Sequence, residues 1–364
     1  MHMIRSWFRS HFDNPQVVIL TAILVLGFGV IYFFGRMLVP LFMGVIIAYL
    51  LDGMIKPLVR RNIPRPIAMV GVFLFFFLLL LFTIFWLVPL LIRQVTQLVQ
   101  QLPIMIGAAQ QLLLQLPEHY PRLISEDQVY ELMAGIRREG TRLAQHILSI
   151  SVASVMGLIT LLVYLFIVPL LVFFFLKDKE KILSWFGAYL PADRWLAMRV
   201  WEDVNAQIAN YIRGKSWEII IVWAGTSFVL TLFKLEYSML LGFIVGISVL
   251  IPYIGAAVAT IPIALVAYFQ WGFGSEFFWV LVAYAIIQTV DGNILAPLLL
   301  SEVVNIHPVA VIAAILVFGG LWGFWGVFFA IPLATLIQAV LKAWPSALEH
   351  PGSPEGPPSV APDD

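Results

Sequence analysis

The sequence predicts an all-α polytopic membrane protein with about six spanning helices, two opposed re-entrant (broken) hairpins and a small extramembrane helical segment. Three observations carry this. Of 364 residues, 61% are apolar and 12% charged, where a soluble domain has about 45–50% and roughly 25%. Several apolar runs approach the roughly 20 residues that a helix needs to cross a bilayer core of about 30 Å. Two further apolar regions are interrupted by proline or glycine, not by charge.

Residues 1–92 read as N-terminal membrane helices. The run Val17–Phe34 follows Arg5 and Arg9, and "VIYFFGR" offers no small-residue cleavage site, so it reads as a retained span and not a signal peptide. Met37–Leu51 is short and contains Pro40, so it is either tilted or runs on beyond Leu51; Pro66–Ile92 is long enough to cross. Residues 93–146 form an external helical segment, either a small domain or an extension of the flanking spans. In it "SEDQ" (Ser125–Gln128) resembles a capping box, and Val129, Leu132, Met133 and Ile136 then share one face. Residues 147–176 are a long membrane helix. Residues 177–216 read as a cytoplasmic segment with a helix that Asp193 caps after Pro191; Trp195, Met198, Trp201, Val204, Ile208 and Tyr211 make its apolar stripe. That stripe suits either the membrane interface or docking on the protein itself. Residues 217–344 are the transport region, with spans Trp217–Phe233 and Glu276–Val290 and both broken hairpins. The proline-rich tail, residues 345–364, is expected to be disordered.

Lys and Arg set the orientation. Asp52–Arg65 carries Lys56, Arg60, Arg61 and Arg65, and Lys177–Ser216 carries seven basic residues. Both belong on the cytoplasmic side, and counting spans from an inside N-terminus places them there. Both termini are then cytoplasmic, and residues 93–146 lie outside.

In "ISVLIPYIGAAVATIPIAL" the apolar pieces on either side of Pro252 are about 14 and 15 residues, or roughly 21–23 Å as helix. Such lengths favour a re-entrant hairpin with its tip at Pro252, Tyr253 and Gly255. The stretch "GGLWGFWG" interrupts the second region, with tip residues Gly320, Gly323 and Gly326. "ATIPIA" (Ala259–Ala264) and "FAIPLA" (Phe329–Ala334) raise the alternative of an internal repeat. Opposed hairpins with irregular tips recur in secondary transporters.

Between them lies "VDGNILAPLLLSEVVNIHP", Val290–Pro308, dense in polar groups for this chain. One reading is a solvated loop in which Asp291 caps a helix. The other is a substrate or ion path lined by Asp291, Asn293, Glu302, Gln288 and Asn305, because intramembrane ionisable groups are costly and usually functional. Pro297, His307 and Pro308 serve as hinge positions; Pro297 is expected to break the helix and expose carbonyls. Glu218, beside Lys215, is expected to pair at the interface.

The balance of 21 basic against 21 acidic residues argues against a nucleic-acid partner. The chain has no cysteine, which removes thiolate chemistry and disulfides. It carries no H-E-x-x-H, P-loop or G-x-S-x-G motif, so no enzyme, metal site or cofactor is expected. A coupling ion, Na+ or H+, and a small polar solute are the expected partners beside the lipid bilayer.

"PLFMGVIIAYLLDGMIKPL", "FFFLKDKEKIL", "NYIRGK", "VLIPYIGA", "DGNILAPLLLSEVVNIHP" and "FGGLWGFWGVFFAIPLATLI" resemble the AI-2E (autoinducer-2 exporter) transporter family, over about Ile4–Trp344. The resemblance implies a bacterial inner-membrane protein with both termini cytoplasmic. It also implies homo-oligomers, pentamers among them, and an elevator-like movement. Some members export autoinducer-2 and others are described as sodium/proton antiporters. The expected function is therefore a secondary transporter (permease) of a small polar solute. A cation/proton antiporter, a channel and a non-transporting scaffold are the alternatives.

Overall fold

The computed structural model describes residues 15–35, 37–119, scattered positions within 130–145, and residues 155–191, 194–252, 254–300 and 307–349; over these the chain is almost wholly helical. Among the described residues, six helical stretches are long and apolar enough to cross a membrane: Gln16–Phe34, Val39–Arg60, Arg65–Ala108, Ile254–Trp271, Ser275–Leu300 and Pro308–Leu341. The "SEDQ" box and Asp193 lie outside the described residues.

Helix α1 spans Pro15–Phe34 and α2 spans Val39–Arg60. Of the two readings of the second run, the one that continues beyond Leu51 describes this helix. Pro40 falls in the first turn, where its missing N–H costs nothing, so the helix continues through Asp52 and Lys56. Helix α3, Arg65–Phe82, passes through a five-residue π turn, Thr83–Leu87, into α4, Val88–His119. The run continues unbroken past Ile92, so the described residues 93–119 extend the flanking helix, one of the two arrangements expected for this segment. Helix α5 spans Val155–Lys177 and α6 spans Lys179–Ala188. Helix α7, Trp195–Leu232, is likewise continuous across the boundary expected at Ser216.

Helices α8, Ser238–Ser248, and α9, Ile254–Trp271, form the first broken region. Then come α10, Ser275–Val290; a π turn, Asp291–Leu295; α11, Ala296–Leu300; and α12, Pro308–Glu349, which is bent at Gly323 and runs past the start expected for the tail. At 18 residues α9 is longer than the sequence estimate and reaches about 27 Å, so its length no longer argues for a half-crossing.

The chain divides into two compact units. The first comprises residues 1–57, 170–215 and 300–364, the second residues 58–169 and 216–299. In the first unit Val17 and Leu20 of α1 pack with Leu196, Val200 and Val204 of α7 and with Leu336 and Val340 of α12. Part of the expected stripe on α7 thus docks on the protein, whereas Met198 and Trp201 are exposed. Gly44 admits the Leu171 and Phe175 side chains, and Gly53 lets the Arg213 stem lie against α2. Tyr49 donates to Asn205 in the same seam. Asp52 pairs with Lys56 at 3.3 Å and Lys179 at 3.5 Å.

In the second unit a core of Val222, Leu230, Leu241, Val245, Ala259, Ile263, Val280 and Tyr284 joins α7 to α8, α9 and α10. Gly242 and Gly246, four apart on α8, lie against the α7 backbone at Ser227, Ile219 and Trp223. This small-xxx-small crossing is how helices approach closely where lipid removes the hydrophobic drive.

Candidate transport site

Both broken regions fold back on themselves, and one glycine makes each turn possible. At the first, a Cβ on Gly255 would meet the Ser248 carbonyl oxygen at 1.7 Å; at the second, a Cβ on Gly326 would meet the Phe318 oxygen at 1.8 Å. In a continuous helix residues seven or eight apart are about 10–12 Å apart along the axis, so these contacts mean reversal of the chain. At the first turn Ile251 N–H bonds to Ser248 O, and Gly255 N–H to Ile251 O. At the second, Gly323 takes φ 59° and ψ −134°, a conformation only glycine adopts easily. Pro252 lies in the first turn and is half-buried; Tyr253 lies outside the described residues. Gly320 is exposed beside the second turn. Tyr32, Phe42, Trp322, Trp325 and Phe329 are among the aromatic groups lining a cavity of about 790 Å³ there.

The polar groups gather next to the first turn. Tyr284, Gln288 and Asp291 stand at positions i, i+4 and i+7, so they share one face of the helix. Tyr284 is 3% and Asp291 8% exposed. Gln288 is half-buried, and its amide nitrogen is buried without a hydrogen-bond partner among the described residues. The Tyr284 hydroxyl donates to the Ala256 carbonyl at 2.9 Å, one residue past Gly255, and Thr260 Oγ1 donates to the same carbonyl at 2.8 Å. Phenol, amide and carboxylate thus form a stripe from α10 into the first residue after it, and its Tyr284 end is bound to the first residues of α9.

Asp291 opens the π turn, in which Ala296 N–H bonds to Asp291 O, five residues back. The cause is Pro297. It has no N–H, and in an α-helix its ring would strike the carbonyl four residues earlier; widening the preceding turn removes the clash. The helix therefore survives Pro297 and runs to Leu300, contrary to the expected break. The same device occurs at Thr83–Leu87, where Val88 N–H bonds to Thr83 O ahead of Pro89. π turns often mark functional positions. Asp291 also lies well inside the candidate span Ser275–Leu300, not at the end of a span finishing near Val290.

The other expected site residues separate. Asn293 is exposed on another side of the helix and donates to Thr289 O at 2.8 Å. Glu302 and Asn305 lie outside the described residues. His307 caps α12, its Nδ1 accepting from Val309 N–H at 3.3 Å, and Pro308 takes the first helical position, where proline fits. Tyr284 is the member that the sequence reading missed; its spacing from Gln288 and Asp291 was the available signal. Lys215 and Glu218 are 3% and 2% exposed. The described residues hold no group of three or more potential metal ligands.

Span-length apolar helices, one of them carrying a buried carboxylate, define a polytopic helical membrane protein. The chain belongs to the AI-2E transporter family, whose sequence pattern matches residues 21–346. It is 45% identical over 345 residues to an Escherichia coli K12 protein described as "Putative permease PerM", covering 95% of this chain and 98% of that one. Two Bacillus subtilis relatives are more distant. "Putative transport protein YueF" is 26% identical, with 93% of each chain covered. "Putative transport protein YrrI" is 27% identical, covering 83% of this chain and 85% of its own.

Proposed function

We propose that this protein is a bacterial inner-membrane secondary transporter that carries a small polar solute by alternating access, with Asp291 as the charged group on its path. The observation that carries the reading is Asp291 itself, 8% exposed inside a helix otherwise apolar enough to span. A carboxylate in that setting is costly and is usually kept for function. Gln288 and Tyr284 on the same face supply further oxygen and N–H groups to a polar ligand. Both termini are cytoplasmic in this reading, by the Lys and Arg distribution, and both hairpins are re-entrant. A signalling molecule such as autoinducer-2 is one solute of suitable polarity, and a homo-oligomer, pentameric by family resemblance, is the working assembly.

A second reading is a sodium (or other cation)/proton antiporter. It is favoured by the buried carboxylate, which can alternate between an ion and a proton. Flux in liposomes tests both, with and without a pH or sodium gradient. Asp291→Asn keeps shape and removes charge; it should abolish or uncouple transport while the protein still folds and assembles. Glu302→Gln should do less. Coupled flux at the wild-type level in Asp291→Asn would make the aspartate a structural cap, and loss of the variant from the membrane would make its role one of folding.

A further inference from the structure

The second unit holds another polar cavity, remote in sequence from Asp291. Four glutamines, Gln94, Gln97, Gln100 and Gln101, occupy eight consecutive positions of α4. With Glu236 and Tyr237 from the turn between α7 and α8, they line a cavity of about 510 Å³, within the size range of small-molecule sites.

The turn is held in place from both sides. Gln94 Oε1 accepts from Leu240 N–H at 2.8 Å. Gln270, at the end of α9, accepts from Glu236 N–H and donates to Lys234 O, both at 2.9 Å. Within this brace Lys234 and Tyr237 take positive φ, 57° and 58°, a conformation that costs about 1–3 kcal/mol for a non-glycine residue and tends to be kept at functional sites. The Tyr237 hydroxyl interacts with the Glu236 carboxylate and the Gln101 side chain, although Tyr237 is only 8% exposed. Two elements are thus locked so that a carboxylate and several amides face one cavity.

The chemistry of the lining selects a ligand class. Glu236 provides a negative charge, and among the described residues no Lys, Arg or His lines the cavity. The amide oxygens accept hydrogen bonds, and Ile104 with the Tyr237 ring offers apolar surface to a short carbon chain. A metal ion would leave most of 510 Å³ unfilled, and an anion would meet Glu236 unopposed. We infer that this cavity binds a small organic cation bearing a primary ammonium, whose N–H groups reach Glu236 and the glutamine oxygens.

The inference does not depend on what Asp291 does. Putrescine and its uncharged counterpart 1,4-butanediol serve as probes, titrated into the full-length protein in detergent at constant ionic strength and followed by calorimetry. Putrescine should bind. Glu236→Gln and Gln97→Ala should weaken it, the former at least tenfold, as for loss of a charge-assisted hydrogen bond. Asp291→Asn should leave it unchanged, and butanediol should bind at least tenfold more weakly. Equal binding of the diol, displacement of putrescine by sodium at matched ionic strength, no putrescine binding, or indifference to Glu236→Gln would each overturn the assignment.

Discussion

The hydroxyl of Tyr284 donates to the carbonyl of Ala256 across 2.9 Å, joining the helix that carries Asp291 to the first residues after the hairpin turn. Thr260 donates to the same carbonyl, so removing the phenol leaves no buried acceptor empty. Tyr284→Phe should therefore cost only about 1 kcal/mol of stability. Its effect on flux should be larger than that loss explains, because the turn and the carboxylate stripe no longer move as one. Thermal unfolding and liposome flux on the same preparation separate the two effects; normal flux with lowered stability would reduce Tyr284 to a packing residue.

The turn glycines leave no room for a methyl group. Gly255→Ala and Gly326→Ala each place Cβ within 1.8 Å of a backbone carbonyl oxygen, which a flexible side chain cannot relieve. Each should lower stability by about 3 kcal/mol or more. Gly71→Ala and Gly27→Ala, with nothing within 4 Å of the added Cβ, should be neutral or slightly stabilising, since alanine is the better helix former. Detergent-solubilised melting curves for the four variants make the comparison. Similar melting of all four would show that the hairpins are not closed as described.

Tyr237 offers a test through pH. Burial foremost, then the charge of Glu236 and its hydrogen bond, hold the phenol above the ordinary 10.0 of tyrosine, with Gln101 pulling the other way. The folded protein keeps this proton where the unfolded chain loses it. The associated stability is full below pH 10.0 and is lost as pH rises through the higher folded value. Tyr237→Phe has no such proton, so its stability should fall less steeply than wild type above pH 10. Parallel alkaline unfolding curves would contradict this.

Orientation can be read directly. A reporter after Trp344 should be cytoplasmic and one near Glu118 external, following the basic residues at Lys56, Arg60, Arg61 and Arg65. Reporters on the same side would overturn this topology.

Much of this architecture was legible because membrane constraints act on composition. Runs such as Val17–Phe34 can only be helical in lipid, and Pro252 and Gly323 mark places where a helix must give way. The misplacements have one physical source, the assumption that polar residues or prolines end helices. Pro40 sits in a first turn and Pro297 is absorbed by a π turn. The charges before Trp217 lie within a helix that continues to Leu232, and the glutamines after Ile92 extend the flanking helix, which the sequence left open beside a separate small domain. Asp291 was visible as an unusual carboxylate, but its place inside a helix was not, because that depends on how far the helix continues beyond it. Tyr284 escaped notice because one tyrosine in an apolar run looks like core until its hydroxyl has a named acceptor.

The unbroken succession of α3, the π turn at Thr83–Leu87 and α4 is a rod of about 80 Å by helix geometry, well beyond a bilayer core of roughly 30 Å. A rod of that length is a lever with a joint built in. If the joint at Thr83 flexes by about 10°, the far end of α4, roughly 50 Å away, sweeps some 8–9 Å. A change too small to notice at the joint would be plain at His119, which makes that end a sensitive place for a spectroscopic label reporting the protein's working cycle.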